Sequence, residues 1–191
     1  MQAKTLLQQY FQSNFPLNQE GLEEVLEAFA EQVYPKGHRL LQPGQTEREI
    51  RFLASGWLRE YYNREDKEIN IHFFEAPVFV NDFLSLYEAQ PSQKWQEALS
   101  EIRLLRMSYQ THQELLQKYP CGNQIFEEIF RRLFRQREQR EYRRLTSNPE
   151  ERYQALFQYR PQVLQYVPQY HIASYLGVSP ETLSRIRRRI S

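Results

Sequence analysis

The spacing of hydrophobic positions changes character three times along this chain. In residues 19–32, Leu22, Val25, Leu26 and Phe29 recur at i, i+3, i+4 and i+7, with Glu20, Glu23, Glu24 and Glu27 around the other side. That spacing predicts an amphipathic helix over 19–32. Residues 2–15 read as a helix ahead of it, with Pro16 separating the two. From Val33 to about Ser108 the period shortens. Runs at His38–Leu41, Ile50–Ala54, Trp57–Tyr62 and Ile69–Phe74 are bounded by Pro35-Lys36-Gly37, Pro43-Gly44 and Ser55-Gly56, which are turn signals. Ile69, Ile71 and Phe73 alternate with Asn70, His72 and Phe74, as the two faces of a half-buried strand do. A further strand is expected over Trp95–Met107. Many short strands with frequent turns predict an antiparallel sandwich or roll, not a parallel sheet.

The helical period returns at Thr111 and runs, past Pro120, to about Leu145. Ile125, Ile129 and Leu133 form one row at i, i+4, i+8, and Phe126, Phe130 and Phe134 form another. So wide a stripe on one long helix calls for two partners, the chain's own β-region on one face and a second copy on the other. The candidate dimerisation residues are Phe126, Ile129, Phe130, Leu133 and Phe134. Ser147 or Asn148 then caps a helix that is expected to turn Tyr153, Leu156 and Phe157 inward, and Arg160–Val167 reads as a connector.

The last stretch is the most specific. Ile172, Ala173 and Leu176 share one helical face, and Gly177 follows where a glycine takes the left-handed conformation that ends a helix. Ser179 is placed to cap a second helix, with Pro180 at its first position. Leu183 and Ile186 give that helix an apolar face. Glu181, Thr182, Ser184, Arg185 and Arg188 are left to point outward. A plain αα-corner would share the glycine and the apolar stripes. It would not need four arginines (Arg185, Arg187, Arg188, Arg189) on the second helix. The pattern fits a helix-turn-helix whose second helix enters the major groove of DNA.

The net charge of +1 conceals an asymmetry. Residues 1–110 carry 11 Lys/Arg against 16 Asp/Glu, a net −5, while residues 111–191 carry 14 against 8, a net +6. An acidic front and a basic back fit a sensor region joined to a nucleic-acid-binding one. The divisions expected are 1–110 for the sensor, 111–146 for the long linking helix and 147–191 for the helix-turn-helix. A single cysteine, Cys121, excludes an internal disulfide framework. With no apolar run of membrane-spanning length and no signal-peptide core, the protein is expected in the cytoplasm.

Roll, long helix and helix-turn-helix in this order resemble the Crp/Fnr (cyclic-AMP receptor protein/fumarate–nitrate regulator) family of bacterial transcription regulators. The resemblance covers nearly the whole chain. It is sharpest at Gly177-Val178-Ser179-Pro180-Glu181-Thr182-Leu183-Ser184-Arg185, which is similar to the family's recognition-helix signature. It implies an α+β fold: an N-terminal antiparallel β-roll of the cyclic-nucleotide-binding jelly-roll type with flanking helices, a long central dimerisation helix and a C-terminal helix-turn-helix. It also implies a homodimer that binds double-stranded DNA, answers to an effector in the roll and meets RNA polymerase. Carried over residue by residue, Glu181 and Arg185 match base readers, while Pro180 stands where the family often has an arginine. Ser179, Thr182, Ser184, Arg188 and Arg189 complete the DNA-binding candidates. The sequence stops at Ser191, where the family usually adds a β-hairpin wing, and Arg187–Arg189 are expected to compensate by charge.

The pocket departs from the family. Where its signature has a Phe-Gly-Glu turn, this chain reads Phe79-Val80-Asn81-Asp82-Phe83, and Gln93-Lys94-Trp95-Gln96 holds no arginine for a phosphate. Asn81, Asp82, Phe83 and Lys94, with Gln136 and Arg137 of the long helix, are the candidate effector residues. Lys94 is expected to be solvated. The effector is not expected to be cyclic AMP, and no cofactor is implied. The sequence leaves two alternatives to compare with this reading. A cupin-like metal-dependent enzyme would need clustered histidines, and only His38 and His72, with Glu75 nearby, lie in the roll. A DNA-independent signalling adaptor would leave Glu181 and Arg185 without a purpose. Neither a nucleophile elbow nor a phosphate-binding glycine loop occurs, so no catalytic residue is expected.

Overall fold

The computed structural model describes residues 3–14, 20–65 and 67–190. Helices α1 (Ala3–Asn14) and α2 (Leu22–Ala28) lead into eight strands: β1 (Ala30–Tyr34), β2 (Arg39–Leu41), β3 (Glu49–Ser55), β4 (Trp57–Arg64), β5 (Lys67–Glu75), β6 (Val78–Phe79), β7 (Trp95–Ala98) and β8 (Ile102–Ser108). The short helix α3 (Phe83–Glu88) interrupts them. Then come α4 (Tyr109–Lys118), the long α5 (Cys121–Thr146), α6 (Pro149–Tyr159), α7 (Pro161–Tyr166), α8 (Gln169–Leu176) and α9 (Pro180–Ile190). The strands form two four-stranded sheets in the orders β1-β8-β3-β6 and β2-β7-β4-β5, antiparallel throughout.

Alternation along the strands divides the apolar side chains into three layers. Ile50, Phe52 and Ala54 of β3, with Leu105 and Met107 of β8, face outward under Leu7 of α1, Leu115 of α4 and Ile129 of α5. Leu53, Leu58, Phe74, Ala98, Ile102 and Leu104 meet between the sheets. Trp57 and Phe73, on the outer face of the second sheet, join the core of α6–α9. Each sheet therefore has both faces covered.

Several elements differ from the sequence expectation. The helix expected over 19–32 stops at Ala28, because residues 30–34 pair with β8 from Ala30↔Arg106 to Tyr34↔Ile102. This edge strand is largely exposed and so carries no alternating signal. Pro16 lies outside the described residues. The single strand expected over Trp95–Met107 is two strands in different sheets, because the chain crosses between sheets at residues 99–101. Gly56 lies beside that crossing with φ 93°, and a Cβ there would sit 2.3 Å from the Glu101 carbonyl oxygen.

In β5, a bulge shifts the register from Glu60↔His72 to Tyr61↔Asn70. The simple alternation of Ile69, Ile71 and Phe73 is thereby broken: Ile69 is 44% exposed while Asn70 is buried. The expected connector Arg160–Val167 folds as α7, opened by Pro161. Asn148 caps α6 in a reciprocal box with Glu151, and Tyr153 and Leu156 are buried, but Phe157 is 60% exposed because only a narrow stripe of α6 meets its neighbours.

Candidate functional site

Helices α8 and α9 are joined by a turn whose hydrogen bonds are the glycine-terminated kind. Gly177 is left-handed (φ 67°, ψ 34°), its N–H donates to Ser174, and the Val178 N–H donates to the Ala173 carbonyl at 3.0 Å. Arg152 of α6 donates to the Leu176 carbonyl at 2.7 Å, placing a cation at the C-terminal end of α8. Ser179 then accepts from the Thr182 N–H at 3.2 Å and so caps α9. Leu183 and Ile186 are buried with Ile172, Ala173 and Leu176.

That burial fixes what α9 presents to solvent. Glu181, Ser184, Arg185 and Arg188 lie opposite Leu183 and Ile186 on the helix, and all four are exposed. Thr182, half-buried, accepts from Arg185 at 3.2 Å, and exposed Ser179 and Pro180 mark the helix start. The Glu181 carboxyl is held below the usual range, first by its hydrogen bond with Ser179. Arg189 lies to the side and meets Glu150 of α6 at 3.5 Å. The result is a rigidly mounted polar face with one carboxylate and two guanidinium groups. A carboxylate can accept from a cytosine amine, and a guanidinium can clamp guanine O6 and N7.

The helix-turn-helix is bolted to the roll through α8. The buried Arg59 on β4 pairs with Glu68 and with Glu97 (3.1 Å), lies 4.0 Å over the Tyr61 ring, and donates to His171 Nδ1 at 2.9 Å. Asn70 donates from its backbone N–H to Ser174 Oγ (3.1 Å), and its side-chain amide lies 3.3 Å from His171 Nδ1. Arg160 donates to the Phe73 carbonyl at 2.8 Å, and Tyr166 stacks on Trp57. His171 is pushed down to about 4 by burial and by the Arg59 charge, so it docks as the neutral imidazole. No sequence pattern announced this junction, because its partners stand about a hundred residues apart.

On α5 the wide stripe divides. Phe126, Ile129 and Leu133 pack on the chain's own core. Phe130 meets Phe83 and Tyr87 of α3, at ring separations of 5.2 and 5.1 Å, and keeps an exposed edge, while Phe134 is 66% exposed.

The candidate effector residues also separate. Asn81 is a structural clasp: it accepts from the Arg51 N–H (3.1 Å) and donates to the Glu49 carbonyl (2.6 Å). Phe83 turns toward Tyr87 and Phe130. Gln136 and Arg137 are exposed on α5. A polar α5 residue that reaches the roll is Arg140, missed in the sequence because the basic stretch around it, interrupted by Glu138 and Glu141, reads as solvated helix surface. It donates to the Ile71 carbonyl and lies 2.8 Å from His72 Nδ1.

Lys94, expected to be solvated, is instead largely buried between two carboxylates, 2.9 Å from Asp82 Oδ1 and 3.0 Å from Glu60 Oε1. Ser92 donates to the other Asp82 oxygen at 2.7 Å. Burial would raise the Asp82 pKa, but the bonds from Ser92 and Lys94 outweigh it and hold the carboxyl low. Burial would lower Lys94, but Glu60 and Asp82 outweigh that and hold its ammonium charged. Burial raises Glu60 against the pull of Lys94, and burial followed by Arg140 drives His72 well below its ordinary value. Among the described residues, no group of three or more His, Cys, Asp or Glu side chains is placed to hold a metal ion, and no helix is long and apolar enough to cross a membrane.

Residues 31–119 match the family described as the cyclic nucleotide-binding domain. No curated protein sequence matches the chain. Among solved structures, the chain is similar to the c-di-GMP-responsive global regulator CLP of Xanthomonas campestris, at 17% identity and a TM-score of 0.72, covering 91% of each chain. It is similar to a CooA mutant from Carboxydothermus hydrogenoformans, at 18% identity and a TM-score of 0.67, covering 87% of this chain and 78% of that one. The catabolite activator protein of Thermus thermophilus matches at 18% identity and a TM-score of 0.58, with 92% and 84% covered. The likeness covers most of the chain, which shares the fold of these three proteins.

Proposed function

We propose that this chain, which has the Crp/Fnr fold around a cyclic nucleotide-binding-type roll, is a sequence-specific DNA-binding transcription regulator that works as a homodimer. The observation that carries the reading is the outward face of α9. Leu183 and Ile186 lock the helix onto α8, leaving Glu181, Ser184, Arg185 and Arg188 free to enter a major groove. Glu181 and Arg185 read base edges, each contact contributing about 1–3 kcal/mol of discrimination. Ser179, Thr182 and Arg188 hold phosphates, which position the helix without specifying sequence. Arg189, already drawn toward Glu150, adds charge more than geometry. Pro180 offers no side-chain donor, so the operator differs from those of relatives with an arginine there.

Two copies joined along the exposed Phe130–Phe134 face of α5 would present two such helices to successive grooves, with half-site centres about 34 Å apart. In this reading residues 1–110 form the regulatory roll, 111–146 the linking and dimerising helix, and 147–191 the DNA-binding unit.

The test is selection from a randomised duplex library by the purified protein at physiological salt. A two-fold-symmetric consensus is expected, and no enrichment at any salt concentration would overturn the reading. On the selected operator, Arg185→Ala should lower specific affinity by about 1–3 kcal/mol and relax the preference at one position per half-site. An equal loss on random DNA would reassign Arg185 to phosphate contact.

A further inference from the structure

The space between the two sheets has an apolar end and an ionic end. The charges of the ionic end are paired from within: Arg51 with Glu47, and Lys94 with both Asp82 and Glu60. Arg140 of α5 adds a further positive charge beside His72 and acts on Glu60. A nucleotide phosphate entering here would have to draw Lys94 away from two buried carboxylates and leave them facing an anion without a counter-charge, which is costly. The cluster also sits at a structural crossroads. Asp82 immediately precedes α3, whose Phe83 and Tyr87 hold Phe130 of α5. Glu60 pairs in register with His72, which meets Arg140 of the same helix.

We propose that Lys94 is an internal substitute for an effector: by bridging Asp82 to Glu60 it keeps the roll, α3 and α5 in one arrangement, so that DNA is bound without any cyclic nucleotide. This rests on the DNA-binding reading above and replaces the expectation of an effector in the roll. The bridge joins the second sheet to the segment that carries α3, a connection that a bound ligand would otherwise have to make. With Lys94 in place the arrangement is constitutive, and operator occupancy is set by protein concentration and salt alone.

The experiment uses the full-length protein and the operator found by selection. Operator affinity is measured by fluorescence anisotropy without ligand and with cyclic AMP, cyclic GMP or c-di-GMP at millimolar concentration, and the same nucleotides are titrated into protein alone by calorimetry. The expected result is less than about a threefold change in affinity and no heat of binding, since a ligand shifts an equilibrium only by its differential affinity for the two states. A larger change, or saturable binding to protein alone, would overturn the proposal.

Lys94→Met should weaken operator binding by more than about tenfold with circular dichroism unchanged, and Lys94→Arg should recover most of it. Wild-type affinity in Lys94→Met would refute the bridge. If Lys94→Met does not fold, Lys94→Met combined with Glu60→Gln and Asp82→Asn removes the bridge without leaving a buried charge unpaired, and the same tenfold loss is expected. If the wild type selects no DNA sequence, the DNA-binding reading has failed. Calorimetry on the protein alone still decides whether the site accepts a nucleotide.

Discussion

His112 illustrates how burial alone can make a residue informative. It lies on α4 with its ring centroid 4.2 Å from that of Phe126, it is buried, and neither ring nitrogen finds a hydrogen-bond partner. Burial pushes its pKa down to about 4, and His171 on α8 is pushed to about 4 as well. In the unfolded chain both titrate near about 6.5. Between pH 6.5 and 4 the unfolded state therefore takes up protons that the folded state refuses, and stability falls as pH drops through that window. Above it the two histidines have no effect on the pH dependence. His112→Phe keeps the ring contact with Phe126 and removes two unpaired polar atoms. It should leave stability at pH 7 unchanged or raise it by about 1 kcal/mol, and it should flatten the loss between pH 6.5 and 4. Urea unfolding at pH 7 and pH 5 measures both effects. A loss above about 1 kcal/mol at pH 7 would mean that the imidazole makes a bond in solution.

At the scale of elements, two glycines separate backbone strain from crowding. Gly177 is left-handed but a Cβ there would meet nothing within 4 Å, whereas Gly56 is left-handed and faces the Glu101 carbonyl at 2.3 Å. Gly177→Ala should therefore cost about 1–2 kcal/mol, with Gly177→Asn less, because only the conformation is penalised. Gly56→Ala should cost clearly more, since the crossing between the sheets must also move. Chemical denaturation of the three variants checks the order, and equal losses at the two sites would contradict it. The same contrast explains what could be read from the sequence. The helix-turn-helix was legible because its signals are local: Ala173, Gly177, Ser179, Pro180 and Leu183 each act within one turn of where they stand. The long helix and most strands were legible from periodicity for the same reason. Strand β1 was not, because an exposed edge strand is defined by its partner β8 rather than by its own pattern. The β5 bulge and the Lys94 bridge were hidden likewise. In each the outcome depends on residues far along the chain, and a lysine flanked by polar neighbours gives no local sign that Glu60 will face it. Of the α9 candidates, Glu181, Ser184, Arg185 and Arg188 share one exposed face, while of the effector candidates only Asp82 and Lys94 meet, and Arg140 rather than Gln136 or Arg137 reaches His72.

For the whole molecule, the proposed dimer raises the question of how two copies of α9 are held at a fixed distance. In the single chain, α8 is fastened to the second sheet through Arg59, Asn70 and His171, and the α6–α7 junction through Arg160, so α9 moves with the roll and not on a free tether. Any join between two copies therefore sets the spacing of the two α9 helices. On α5, Leu133 is partly buried against the chain's own core, whereas Phe134 projects 66% exposed beside Phe130. These neighbours make opposite predictions. Phe134→Glu should leave the stability of the isolated chain within about 0.5 kcal/mol of wild type, because an exposed side chain supports little of the fold. It should nevertheless shift sedimentation from dimer to monomer. Loss of the partner removes the second half-site contact, whose effective concentration lies in the millimolar range, so operator affinity should fall roughly 100-fold or more. Leu133→Ala should do the reverse, lowering stability by about 1–2 kcal/mol while the folded fraction remains dimeric. Sedimentation velocity and urea unfolding on the two variants give four readings. If Phe134→Glu sediments as wild type, the dimer face lies elsewhere, and the exposed edge of α3 at Leu84 and Tyr87 becomes the surface to alter next.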